Sequence, residues 1–180
     1  MKSFGSFIHN TVFPLVLVTR LMVFIGDVPV ALAVDPHSPF NTANTNQQVF
    51  SQEDFLRLTN AAREDVGLSE LSLNDRLSAA AQAKVRDMVN NGYWDHFRPT
   101  DHKAPWTFIR EAGYDYTIAG ENLARGYRTP QGITRAWLAS PTHRANILSP
   151  KYTEVGFASM ETFDAQGAPV VLTVQMFGGR

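Results

Sequence analysis

The chain is predicted to adopt an α+β fold, and three observations carry the prediction. Two capped segments beginning at Ser51 and Asn74 place apolar residues at helical spacing. Near the C-terminus, Thr153 to Thr162 and Ala168 to Phe177 read as strands, with Asp164-Ala165-Gln166-Gly167 suited to the hairpin loop between them. Helices come first and strands last, unlike the regular alternation of a parallel α/β sheet.

Residues 1–34 are expected to be a signal peptide or membrane anchor. Lys2 precedes an apolar stretch from Thr11 to Ile25, and Ala31-Leu32-Ala33 offers a small-x-small end, with cleavage after Ala33 or retention as the two outcomes. Membrane contact would then run through residues 11–33, although Arg20 and Asp27 are costly inside a bilayer. Lys2 before the segment and Asp35 after it favour a domain outside the cytoplasm. Residues 35–50, with two prolines and many polar residues in no period, read as a flexible linker. The folded domain is assigned to residues 51–180.

Within it, Ser51 caps a helix that carries Phe55, Leu58 and Ala62 on one face and ends before Gly67. Asn74 caps a second helix with Leu77, Ala80, Ala81, Val85, Met88 and Val89 as its inner stripe, stopped by Gly92. Pro105 to Ala112 reads as a short helix closed by Gly113. Thr129-Pro130 opens another, with Ile133, Ala136 and Trp137 inward. Ser140-Pro141 repeats the signal at once and puts His143 in the first turn after a bend.

The composition excludes several functions. Sixteen Lys and Arg against 17 Asp and Glu leave a formal charge of −1, which gives no electrostatic footprint for nucleic acid. The chain has no cysteine, so disulfides, thiolate metal sites and cysteine nucleophiles are excluded. A His-Glu-x-x-His helix, a Gly-x-Ser-x-Gly elbow and a phosphate-binding glycine loop are also missing.

Three runs could carry chemistry. Gly92-Tyr93-Trp94-Asp95-His96 follows a helix stop, where scaffolded loops concentrate site residues. In Gly120-Glu121-Asn122, Gly120 is expected to adopt a backbone angle closed to other residues and so aim Glu121 inward, while Asn122 satisfies loop backbone. His143, in Ser140-Pro141-Thr142-His143-Arg144, faces the positive end of its helix, which favours the neutral imidazole. Two imidazoles and a carboxylate could hold a divalent metal, pass a proton or grip a polar ligand.

In order, these runs resemble the CAP superfamily (cysteine-rich secretory proteins, antigens and pathogenesis-related proteins; the SCP domain). The resemblance covers about Phe55 to Phe177, from Leu58-Thr59-Asn60-Ala61-Ala62-Arg63 to Tyr152-Thr153-Glu154-Val155-Gly156-Phe157. Gly120-Glu121-Asn122-Leu123-Ala124 and Trp137-Leu138-Ala139-Ser140-Pro141-Thr142-His143-Arg144 look like its bacterial exported branch. The resemblance implies a three-layer α-β-α sandwich with a small antiparallel sheet and a central cleft. It places His96 and Glu121 in that cleft, with Ser140 and Lys151 where the animal and plant branch has a second Glu and a second His. That departure counts against a four-ligand zinc site and leaves His96, Glu121 and His143 as candidate ligands for a metal such as zinc. With Asn122 they are the candidate ligand-binding residues. The resemblance implies a non-catalytic exported module that binds a lipid, polysaccharide or protein of the cell envelope or exterior. The alternative is a metal-assisted hydrolase of peptide or cell-wall bonds, with Glu121, His96 and His143 as its catalytic candidates.

Overall fold

The structure is a computed structural model, and it describes residues 48–180. The expected leader and the linker as far as residue 47 lie outside the described residues. Nine elements follow: α1 (Gln52–Glu64), β1 (Ser72–Leu73), α2 (Asp75–Asn90), α3 (Pro105–Glu111), β2 (Ile118–Arg125), α4 (Pro130–Ala139), α5 (Pro141–Ile147), β3 (Glu154–Phe163) and β4 (Pro169–Gly179). Among the described residues, no helix is long and apolar enough to cross a membrane.

The strands form one sheet in the order β1-β3-β4-β2. β1 runs parallel to β3, and the other pairings are antiparallel. Because successive side chains on a strand alternate faces, the sheet builds two cores. Leu123, Ala158, Met160, Val174 and Met176 pack with α2 and α3. Ala124, Val155, Phe157 and Phe177 pack with α1, α4 and α5. The result is the expected α-β-α sandwich, except that the sheet is mixed and not wholly antiparallel, because the two-residue β1 runs parallel to β3.

The helix starts follow their capping chemistry. Ser51 Oγ accepts from Asp54 N, Asn74 Oδ1 from Arg76 N and Leu77 N, and Thr129 Oγ1 from Gly132 N. Ser140 departs from this pattern. Its hydroxyl lies 3.4 Å from Thr142 Oγ1 and makes no cap bond to the backbone of α5, which Pro141 opens. Gly92 and Gly113 take the left-handed angles (φ 63° and 76°) expected of helix stops.

Two strands escape the sequence reading. β1 is only two residues long, too short to show a period. β2 contains the Gly-Glu-Asn run read as a loop. Its interior is buried on both faces, so the half-polar alternation that marks a strand is lost. The role expected of Gly120 also needs correction, because its φ is not positive. A Cβ there would sit 2.5 Å from the Tyr152 hydroxyl, so the glycine permits close packing and not an unusual angle.

The last residues of the expected linker belong to the fold: Val49 N donates to Ser159 O, and Gln48 Oε1 accepts from Ser159 N. Phe50 packs edge-on against Phe55, 6.2 Å between ring centres. At the other end of the sheet, β2 is an edge strand whose alternate carbonyls are taken by side chains. Tyr152 Oη donates to Ala119 O, Asn146 Nδ2 to Glu121 O and Trp137 Nε1 to Leu123 O. Bonding of this kind blunts an edge against pairing with another chain and fixes β2 where the candidate site is built.

Candidate functional site

Glu121 and Asn122 leave β2 on opposite faces. Glu121 points to the α2 side, where the loop after α2 carries His96. His96 Nδ1 lies 2.6 Å from Glu121 Oε1, and the side chains are 45% and 1% exposed. This short bond is a charge-assisted pair with the acid inside the fold and the imidazole at its mouth. Glu121 Oε2 is buried and has no hydrogen-bond partner. A buried carboxylate oxygen without a donor is costly, and so marks a place where a donor belongs.

Both groups lie beside an open hollow of about 460 Å³, walled by Trp106, Pro105 and Phe97 and floored by Ala119, Gly120 and Glu121. Asn146 and Asp95 complete the rim. Asp95 Oδ1 accepts from Phe97 N and so shapes the turn that carries His96.

The electrostatics follow from burial and pairing. Burial pushes the Glu121 carboxyl up, against the downward pull of the His96 hydrogen bond and of Lys84. The hydrogen bond that His96 donates to Glu121 raises its pKa, and burial opposes the rise. Both partners move upward, so the pair retains a proton to higher pH than the isolated groups would.

His143 lies in the first turn of α5, as expected. Its imidazole is held below its ordinary pKa, first by burial and then by the charge of His96. His143 does not line the hollow. Asn122 is fully buried on the opposite face. Its Nδ2 donates to Gln175 Oε1 and His143 O, and its Oδ1 accepts from Asn146 Nδ2. It braces α5 against the sheet from outside the hollow.

The structure thus brings His96 and Glu121 together and leaves His143 and Asn122 to one side. Among the described residues, no group of three or more His, Asp or Glu side chains is placed to hold a metal ion. Glu121 Oε1 is engaged by His96, and Ser140 and Lys151 contribute nothing to the hollow's lining. The donors of the described residues, as arranged, do not make a three-ligand zinc site.

The sequence reading missed two contributors. Asn146 ties α5 to β2 at Glu121 O. Lys84 is a fully buried lysine on α2 whose ammonium lies behind His96. The signal for Lys84 was present: it stands three residues after Ala81 and one before Val85, inside the apolar stripe of its helix.

With this geometry established, comparison with known proteins identifies the class. The sequence model of CAP, the cysteine-rich secretory protein family, matches residues 56–177. The chain belongs to that family. The Bacillus subtilis protein YkwD is 39% identical over 111 residues, which span 62% of this chain and 43% of YkwD. This chain therefore covers less than half the length of that relative. Among solved structures, an outer surface protein of Borrelia burgdorferi aligns with a TM-score of 0.62 at 21% identity, covering 75% of this chain and 98% of its own. An extracellular SCP-domain protein of Bacillus anthracis aligns with a TM-score of 0.61 at 24% identity, covering 71% of this chain and 40% of its own. These likenesses confirm the α+β sandwich.

Proposed function

We propose that this chain is an exported CAP-domain module that binds a ligand of the cell envelope or exterior in the His96–Glu121 hollow. The observation that carries the reading is the His96–Glu121 pair, whose half-exposed imidazole stands at an open hollow with aromatic walls. The His96 ring, held by Glu121 through Nδ1, would meet a polar group of the ligand, and Trp106 and Phe97 would cover the ligand's body. Export is supported by the leader-like first 34 residues and by relatives described as outer-surface and extracellular.

The test is co-sedimentation of the purified full chain with washed cell walls and, separately, with membrane vesicles made from extracted envelope lipid. Binding to one of them that falls at least roughly tenfold in Glu121→Ala, about the cost of one hydrogen bond to a charged group, supports the reading. Binding to neither, or equal binding by the variant, overturns it.

The metal-assisted hydrolase would need His143 to join His96 and Glu121 around one ion, an arrangement the described residues do not hold. Calorimetric zinc titration decides that point. Heat in the wild type and none in His96→Ala/His143→Ala would restore the three-ligand site, whereas heat in both or in neither removes it.

A further inference from the structure

The loop that presents His96 has no regular secondary structure, yet it holds the imidazole 2.6 Å from a buried acid. Some interaction must fix it. Lys84, fully buried on α2, sends its ammonium into the inner side of that loop. Its Nζ donates to Tyr93 Oη at 3.1 Å, Asp95 O at 2.9 Å and His96 O at 2.7 Å, which accounts for all three of its hydrogens. The ammonium also stands over the rings of Tyr93 and Phe108, 4.8 and 5.6 Å from their centres.

Neighbouring charges keep this geometry from being a simple ion pair. Tyr93 Oη donates to Asp87, and Asp87 in turn pairs with Arg98 at 2.8 Å. Asp87 is thus engaged from two sides, and Lys84 has no salt bridge with it. Lys84 instead directs its hydrogens to the backbone of residues 95 and 96 and to one phenol. The buried cation compensates Glu121 through space while holding the loop through bonds.

We infer that Lys84 is the positioning residue of the cleft. It anchors the Asp95–His96 backbone to α2, so that the imidazole meets Glu121 in one orientation. The importance of that orientation for binding rests on the function proposed above, but the positioning is measurable without any ligand. It therefore stands or falls separately from the binding assay.

The experiment follows the His96 ring in the ligand-free full chain by long-range proton–nitrogen NMR. In the wild type, the hydrogen bond to Glu121 should give a protected, downfield Nδ1 proton. In Lys84→Met, which keeps the length of the chain and removes the donors, that proton should exchange at least roughly tenfold faster, the scale of one lost charged hydrogen bond. Val85→Ala, the adjacent buried residue of α2, should lower stability and leave the ring signal unchanged. Should Lys84→Met not fold, Lys84→Gln takes its place under the same criterion. An unchanged Nδ1 proton in the folded Lys84 variant, or equal loss in Val85→Ala, overturns the inference.

Discussion

Glu121 and Asn122 are consecutive buried residues of one strand, and the two faces of the sheet treat them differently. On the α1–α4–α5 face, every hydrogen-bonding direction of the Asn122 amide but one is used, and the network continues through Gln175 Nε2 to Thr59. On the α2–α3 face, Glu121 has one oxygen held by His96 and the other without a partner. A satisfied buried network specifies and rigidifies a core, whereas a half-satisfied buried group persists where something other than stability selects it. Asn122 belongs to the architecture and Glu121 to the site, although they look alike in the sequence.

Arg63 gives the largest effect with which to press this contrast. It is buried on the Asn122 face, and among the described residues it makes no ion pair. Its Nε donates to Ser69 O, and its Nη1 donates to Ile147 O and Ser149 O, each at 2.8 Å, which closes the C-terminal end of α5. Arg63→Met leaves those carbonyls without donors and should destabilise the chain by about 3–5 kcal/mol in urea denaturation, from several lost charge-assisted bonds. A loss below about 1 kcal/mol would mean that water replaces the guanidinium easily and that this face is less committed than its bonding suggests.

The two neighbours themselves provide the next test. Asn122→Leu removes donors from Gln175 and His143 and an acceptor from Asn146, so a loss of about 2–4 kcal/mol is expected. Glu121→Gln removes a buried charge whose desolvation offsets much of its pairing, so stability should change by no more than about 1 kcal/mol. Urea midpoints for both variants check the pair of values. Equal losses would erase the distinction between the faces.

Much of this arrangement was legible in the sequence. Capping residues and apolar stripes located the helices, because those signals are local. The hairpin of β3 and β4 was visible for the same reason, since one turn fixes both strands. β2 was not, because its partner β4 lies about fifty residues away and its polar residues face two buried layers. The pairing of His96 with Glu121 followed from the family resemblance; local pattern could not have shown it, since 25 residues separate them. The same resemblance suggested His143 as a third member; it lies at the start of α5, outside the lining of the hollow. Lys84 was readable as a polar intruder in an apolar stripe, but its partners lie in a loop that no period describes.

The smallest predicted effect concerns pH and isolates the Glu121–His96 pair. Glu121 is raised from 4.5 by burial, so the folded chain binds a proton that the unfolded chain releases, and stability falls as pH rises from 4.5 through the folded value. His96 is raised from 6.5 by its bond to Glu121, so its contribution is complete below 6.5 and is lost as pH rises through its folded value. His143 is lowered by burial and acts in the opposite sense, but it remains in both proteins when the wild type is compared with Glu121→Gln. That substitution removes the acid's own titration and the main cause of the shift in His96. The stability of the wild type minus that of Glu121→Gln should therefore decline steadily from pH 4.5 to beyond 6.5, as read by urea denaturation across that range. A flat or rising difference would show that the two groups do not share a proton in the folded chain, and the contrast between Glu121 and Asn122 would then rest on hydrogen bonding alone.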